Sequence, residues 1–349
     1  MGSYSPRAGC CQELLITPST IFSRLIRDIQ HARRSIDVEF YIFASDNVGQ
    51  SIATLLARKA RQGLSVRLLL DGFGSRMLSH KVRRMLRESG VDLLLSSRFA
   101  NCRNHRKMCV IDGSIAHIGG ANIADRYVVG NNLGAWYDVV LRIEGMEVAP
   151  LVKLFEFDYM LQEGVIGDVV DSRRGEIEFY WSESESGSAM SNLLREVVRR
   201  AKHRLIITSP YLFLPKDEVE VLGKAVDRGV NVVVIVPEKL DLWLLDGAMP
   251  HYVAELCRVG VEVLIVRGSF VHSKMALIDR ESVVVGSANL DSRSLSTNRE
   301  LMVVTRNRAV VSSANRYLGN IVQLCTTATE EDLSSPMPKF MATLLRPFL

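Results

Sequence analysis

Residues 104–113 read NHRKMCVIDG and residues 271–280 read VHSKMALIDR, so a His-x-Lys-x4-Asp pattern occurs twice, as His105, Lys107, Asp112 and as His272, Lys274, Asp279. Each copy begins a run with apolar residues after the Lys, and on an extended strand the side chains at i and i+2 share a face. His and Lys are therefore expected to point at one place in both copies. Each copy also leads into a Gly-rich segment ending in Asn, GGAN at 119–122 and GSAN at 286–289, which puts Asn122 and Asn289 at matched positions. A lone His on an apolar strand is most often a packed core residue, and Asn after Gly is often only a turn former. That reading does not predict the recurrence of both features in register. An imidazole beside a fixed ammonium suits chemistry on a phosphate ester: the ring attacks or carries a proton, and the ammonium holds the anionic oxygens.

The correspondence extends outward from the motifs. RSIDVEFYIF from Arg34 matches RLIITSPYLF from Arg204, setting Ile36 against Ile206, Tyr41 against Tyr211 and Phe43 against Phe213. In each half there follow a helix-like stretch, a second strand (LSVRLLLDG at 64–72, VNVVVIVPE at 230–238), a further helix (VRRMLRESG at 82–90, YVAELCRVG at 252–260) and a third strand. The His strand comes next, then SIAHIGGANIADRY or SVVVGSANLDSRS, read as strand, Gly turn and helix start. Alternating strands and helices predict right-handed crossovers and a largely parallel sheet covered on both faces. The fold class is α/β, in two similar halves, each a largely parallel mixed sheet flanked by helices, with the active site expected at their pseudo-twofold interface, which 349 residues can accommodate. The stretch SESESGSA at 182–189 has no apolar periodicity and precedes a helical SNLLREVVRRAKHR, so the halves are expected to be 1–181 and 182–349. Glu39 and Tyr41 share strand parity and are candidates to line the site, with core packing an equal account of Tyr41 and Tyr211.

Composition narrows the class further. Six cysteines without C-x-x-C spacing or paired His ligands point to reduced thiols, with neither a zinc site nor a disulfide framework. Arg7, Glu13 and Pro18 interrupt any signal-peptide core, and no stretch approaches the length of a spanning helix. The net charge of +4 is modest, yet basic residues gather at Arg24, Arg27, Arg33 and Arg34, at Lys81, Arg83, Arg84 and Arg87, and at Arg195, Arg199, Arg200, Lys202 and Arg204. Such runs are usually solvated helix faces; otherwise they suit acidic lipid headgroups or a nucleic-acid backbone alike. At the C-terminus PMPKFMATLLRPFL, 336–349, forms an apolar stripe on a helix. It is expected either to pack on its own domain or to enter a headgroup layer together with Leu242, Trp243 and Leu245.

The paired motifs resemble the phospholipase D superfamily, and the flanking strings are similar to bacterial cardiolipin synthases within it. Those strings are EFYIF (39–43), RNHRKMCVIDG (103–113), IGGANIADRY (118–127), WYDVVLRIEG (136–145), SPYLFLP (209–215) and HSKMALIDRESVVVGSANLDSRSLSTNRE (272–300). The chain differs from many such synthases in lacking N-terminal spanning helices, and in carrying SESESG where the family usually has a Gly-Pro-Asp-like turn. The resemblance implies metal-free and cofactor-free chemistry. One His attacks the phosphodiester phosphorus to form a phosphohistidine, and the other protonates the leaving alcohol and later deprotonates the incoming one. His105 is the implied nucleophile, although the pseudo-equivalent halves leave the choice open on the residues alone. Lys107, Lys274, Asn122 and Asn289 would hold the nonbridging oxygens. Asp138 and Glu300, each past the His of its own half and at the head of an apolar strand, would orient the imidazoles. Asp112 and Asp279, on the opposite strand parity, are read as structural.

The activity implied is phosphatidyl transfer between anionic phospholipids, with phosphatidylglycerol as donor and acceptor, at the cytoplasmic face of a bacterial membrane to which the chain binds peripherally. A hydrolase acting on phospholipid or nucleic acid is the alternative. Against nucleic acid stand the flanking strings and the lack of aromatic residues interleaved with a basic tract. A noncatalytic relic would require a lost His or Lys, and all four are present.

Overall fold

The computed structural model describes residues 10–96, 102–162, 173–174, 176–183 and 189–334. Residues 184–188 of the proposed join and the C-terminal stripe at 336–349 lie outside the described residues.

Among the described residues each half is built on one sheet. Across the first, the strands run Cys11–Leu15, Val140–Glu144, Ile115–Gly119, Lys107–Ile111, Ser35–Phe40, Ser65–Leu70 and Asp92–Leu95. The second repeats this order with Ile177–Trp181, Leu301–Thr305, Ser282–Gly286, Met275–Ile278, Arg204–Thr208, Asn231–Pro237 and Glu262–Val266, and adds Arg173–Arg174 and Cys325–Thr327 at its edges. The strand Ile177–Trp181, which a boundary at 181/182 assigns to the first half, pairs within the second sheet against Leu301–Thr305.

The sheets are mixed and mostly antiparallel, where the sequence predicted a largely parallel one. Within these two sheets parallel pairing is confined to the three strands joined by helices in each half: Ser35–Phe40 with Ser65–Leu70 and Asp92–Leu95, and their counterparts. In each half the His strand and the strand after it are joined by a tight turn, at 112–114 and 279–281, and a short turn forces antiparallel neighbours. The motif acids make these turns. Asp112 and Asp279 sit at φ 53° and 50°, a left-handed conformation that Asp tolerates better than most residues. Asp112 accepts the amides of Arg33, Arg34 and Ser35 at 2.9, 2.7 and 3.0 Å, and Asp279 those of Lys202, His203 and Arg204 at 2.8, 2.8 and 2.7 Å. Each acid thus pins the far end of its His strand to the start of the neighbouring strand.

Helices cover the outer faces because each presents one apolar stripe. Pro18–His31, capped by Thr17, buries Ile21, Phe22, Leu25 and Ile29, and Asn47–Arg61, capped by Asp46, buries Ile52, Ala53 and Leu56. Between the sheets lies a shared core in which Met108, Val110 and Ile118 join Ile235, Leu277 and Val285, closed by the helices Ala149–Gln162 and Arg308–Val322. The halves therefore pack as one body with their His strands facing the common interior. Of the Leu242–Leu245 stretch, Leu242 is exposed but Leu245 is buried in the second half's core, so that stretch cannot enter a headgroup layer as a unit. Among the described residues no helix is long and apolar enough to cross a membrane.

Candidate active site

His105 and His272 stand where the halves meet, and each is reached by the chain of the other half. The amide of His105 donates to the carbonyl of Arg299 at 2.9 Å, in a local bridge between Asn104 and Arg299. The amide of His272 donates to the carbonyl of Tyr137 at 2.8 Å, next to parallel pairing of Phe270–Val271 with Trp136–Tyr137. These two short exchanges carry the acids across. His105 Nδ1 lies 2.9 and 3.0 Å from the Glu300 carboxylate oxygens, and His272 Nδ1 lies 2.6 Å from Asp138 Oδ2. The pairing is crossed: Asp138 serves the second His and Glu300 the first, where the sequence predicted each acid for the His of its own half.

Both acids are buried and fixed. Glu300 accepts hydroxyl hydrogen bonds from Ser287 at 2.5 Å and Ser294 at 2.7 Å, while Asp138 Oδ1 takes the Val139 amide at 2.8 Å. Gly120 passes so close to Asp138 that a Cβ there would meet the carboxylate, which explains the glycine before Ala121-Asn122.

The lysines share the His face as i+2 geometry requires. Lys107 Nζ donates to the His105 carbonyl and lies 5.5 Å from the Tyr41 ring centroid. Lys274 Nζ donates to the His272 carbonyl at 2.6 Å and sits 2.9 and 3.1 Å from the two ring nitrogens. Asn122 Oδ1 accepts the Ile42 amide at 3.0 Å and its Nδ2 donates to the Tyr127 hydroxyl at 2.7 Å; Asn289 Nδ2 donates to Asp291 at 2.9 Å. Each amide nitrogen thus spends one of its two hydrogens internally.

Burial and mutual repulsion set the protonation of the cations. Burial, then Lys274, Lys107 and Arg126, hold the His272 imidazole well below its usual range. Burial also lowers His105, against the opposing pull of Glu300. Lys107 falls well below an ordinary lysine and Lys274 to about 8, again chiefly by burial. The acids diverge. Burial raises Asp138 to about 7, whereas for Glu300 burial is outweighed by the charge and hydrogen bond of His105, with Lys107 and Ser287, which leave it lowered.

Several residues of the site were not singled out from the sequence. Arg106, between His105 and Lys107 on the opposite parity, is fully buried. It pairs with Asp158, lies 4.0 Å from Glu39, and donates to the carbonyls of Glu300 at 3.3 Å and Ser182 at 2.8 Å. Burial lowers its pKa to about 10, which leaves it cationic at neutral pH. Glu39, a candidate for lining the pocket, belongs to this buried layer and accepts from Asn104 at 2.7 Å. The signal for the layer in the sequence is the acid Asp158 in the run LFEFDYML, which is apolar apart from it and Glu156. Tyr41 does line the site, edge-on to His105 at 4.9 Å between centroids, and Trp136 and Tyr127 do so for His272 at 5.3 and 5.1 Å. Tyr211 is turned to Asp241, to which its hydroxyl donates.

Known proteins match both sequence and fold. A family model described as "Cardiolipin synthase, PLD-like domain" matches residues 25–155 and 194–322, one segment per half. Cardiolipin synthase A of Pseudomonas aeruginosa is 34% identical over 308 residues, covering 84% of this chain and 63% of that protein. Cardiolipin synthase 2 of Staphylococcus epidermidis is 32% identical over 336 residues, covering 89% of this chain and 68% of its own length. The chain therefore spans roughly two-thirds of the length of these curated relatives. In fold it is similar to the crystal structure of phosphatidylserine synthase from Haemophilus influenzae, with a TM-score of 0.76 at 15% identity over 97% of this chain and 92% of that one. With a motif in each matched segment and both histidines at their junction, the chain belongs to the phospholipase D-like family, on its cardiolipin synthase side.

Proposed function

We propose that the protein is a phosphatidyltransferase that joins two anionic phospholipids, with phosphatidylglycerol as donor and acceptor, to give cardiolipin and free glycerol. The observation that carries the reading is the crossed pair of carboxylate–imidazole contacts, each with a lysine on the same face, at one junction. His105 Nε2 attacks the donor phosphorus, the bond from phosphorus to the headgroup oxygen breaks, and His272 gives that oxygen its proton. The acceptor glycerol hydroxyl then returns a proton to His272 and attacks the phosphohistidine, and the P–N bond breaks to free His105. Lys107, Lys274 and the spare amide hydrogens of Asn122 and Asn289 hold the nonbridging oxygens throughout.

The two acids support this division of labour. An imidazole that attacks through Nε2 while keeping its Nδ1 proton becomes cationic, and Glu300, held in its ionised form, compensates that charge on His105. Asp138 and His272 have been pushed toward each other, the acid up to about 7 and the base down, which suits a pair that exchanges protons near neutrality. We further propose that the chain works as a peripheral protein on the cytoplasmic face of the membrane. Incubation with phosphatidylglycerol vesicles and a chelator, with products identified by mass spectrometry, tests the reading. Cardiolipin is expected; phosphatidic acid alone would make the protein a hydrolase, and inert lipid with cleaved DNA a nuclease.

A further inference from the structure

Seven large apolar side chains stand exposed among the described residues: Phe73, Met77, Val129, Met146, Met160, Leu242 and Val322. Exposed apolar residues scattered singly are ordinary. Met146, Met160 and Val322 fit that description, one on the turn Met146–Val148 and one each on the helices Ala149–Gln162 and Arg308–Val322. The other four do not, because each is tied to a group that flanks one of the two histidines.

Phe73 and Met77 bracket a turn that lies against Tyr41, the ring edge-on to His105. Ser75 Oγ donates to the Tyr41 carbonyl at 3.0 Å, and a Cβ on Gly74 would come within 2.8 Å of the Tyr41 ring. Val129 ends the helix Arg126–Val129, in which Tyr127 is edge-on to His272 and Arg126 stands over the Trp136 ring at 5.0 Å. Leu242 follows Asp241, which lies 4.0 Å from Arg126. Hydrogen bonds join these places into one rim. The Ser79 amide, two residues past Met77, donates to Ser45 Oγ at 2.8 Å, and the neighbouring Asp46 accepts the amide of Asp125, next to Arg126, at 2.7 Å. Phe73 and Met77 come from the loop after Ser65–Leu70, and Leu242 from the loop after its counterpart Asn231–Pro237, so both halves contribute at equivalent places. Met77, Val129 and Leu242 are 71, 79 and 53% exposed, so packing within the protein does not account for them.

The rim is edged with cations. The helix His80–Glu88 starts directly after Ser79, and Lys81 and Arg84, at i and i+3 on one face, are both exposed, as is Arg87; Glu88 is the one acid in the helix. Apolar tips beside exposed cations are complementary to an anionic bilayer, whose headgroup layer takes the first and whose phosphates attract the second. We infer that Phe73, Met77, Val129 and Leu242 form a docking rim that enters the headgroup layer of an anionic membrane, with Lys81 and Arg84 against the lipid phosphates. The rim then opens the junction of the two histidines onto the bilayer, and a diester reaches them without its acyl chains crossing water. The inference rests on reading the chain as a peripheral protein that acts on phospholipid, and adds the face by which it binds.

The test is binding, read without turnover, by sedimentation with vesicles of phosphatidylglycerol and phosphatidylcholine. Met77→Ser, Val129→Ser and Leu242→Ser together should weaken binding by about tenfold or more, at an unchanged melting temperature, and Val129→Ser alone should give part of that loss. Met146→Ser, Met160→Ser and Val322→Ser together should leave binding as it is. Lys81→Glu with Arg84→Glu should lower the preference for these vesicles over pure phosphatidylcholine by about tenfold or more. Equal losses from the two apolar triples, or no loss from the first, would overturn the rim. So would a first triple that keeps vesicle binding but separates a dimer, which would make this face a contact between copies of the chain. Wild-type protein that binds no vesicle would overturn the peripheral reading and the rim together. Protein that binds through the rim yet releases only phosphatidic acid would overturn the transferase reading and leave the rim in place.

Discussion

Asp138 holds the imidazole of His272 at 2.6 Å although 134 residues separate them, and Glu300 reaches His105 across 195. The crossing makes the active site a property of the junction: each half supplies a histidine and the acid for the other half's histidine.

Removing one acid should therefore disturb the distant histidine. Asp138→Asn is expected to lower turnover by ~10²- to 10⁴-fold, and to change the imidazole nitrogen resonances of His272 while sparing those of His105. Glu300→Gln should do the reverse. Nitrogen-15 spectra that move at the histidine of the same half would show that the acids are not crossed in solution.

The two histidines should also fail in different ways. With a substrate whose leaving group needs no proton, His272→Ala should still accumulate a phosphatidyl adduct on His105, and His105→Ala should accumulate none. Acid-labile label recovered on residue 272 would reverse the assignment.

The stability of the folded protein should carry the signature of Asp138. Burial raises its pKa from 3.8 to about 7, so the native state keeps a proton that the unfolded chain releases. Its contribution is fully present below pH 3.8 and is lost as pH rises through about 7. Across that window Asp138→Asn, which cannot titrate, should gain stability relative to wild type with increasing pH. Denaturant midpoints of both proteins at several pH values measure this, and parallel pH profiles would contradict it.

Arg106 should matter to folding more than any surface ion pair. Arg106→Met leaves the buried Glu39 and Asp158 with Arg299, 3.4 Å from Asp158, in place of the guanidinium between them, and should cost ~3–5 kcal/mol, the usual penalty for breaking a buried pair. Adding Glu39→Gln and Asp158→Asn should restore most of the loss, as read by chemical denaturation.

The features legible in the sequence are those encoded over a few residues. The i, i+2 spacing of His and Lys, the glycine before each Asn and the recurrence of the whole string needed no knowledge of the fold. The crossing left no local mark, because two pseudo-equivalent halves make Asp138 fit His105 as well on paper as it fits His272. Strand direction was misread where the His strand turns straight into the next strand with no helix between them, since alternation of strand and helix was counted only up to that point. The strands Cys11–Leu15 and Ile177–Trp181 escaped notice for a related reason: each is five residues long and pairs with a strand that lies far along the chain, Val140–Glu144 for the first and Leu301–Thr305 for the second. Arg106 was hidden by its neighbours, because a charged residue between two functional ones reads as part of their cluster when it faces the opposite way.

The crossed acids also bear on what duplication makes possible. If two separate copies of one repeat associated about a true twofold axis, both histidines would face the same acid in the same surroundings, and nothing in the symmetric assembly could assign attack to one and proton transfer to the other. Joining the copies in one chain lifts that constraint. Here one position is aspartate and the other glutamate, with two serine hydroxyls on the glutamate and a close-passing glycine backbone at the aspartate. Covalent fusion lets two ancestrally identical sites become different reagents, while the exchange of acids keeps either from working alone.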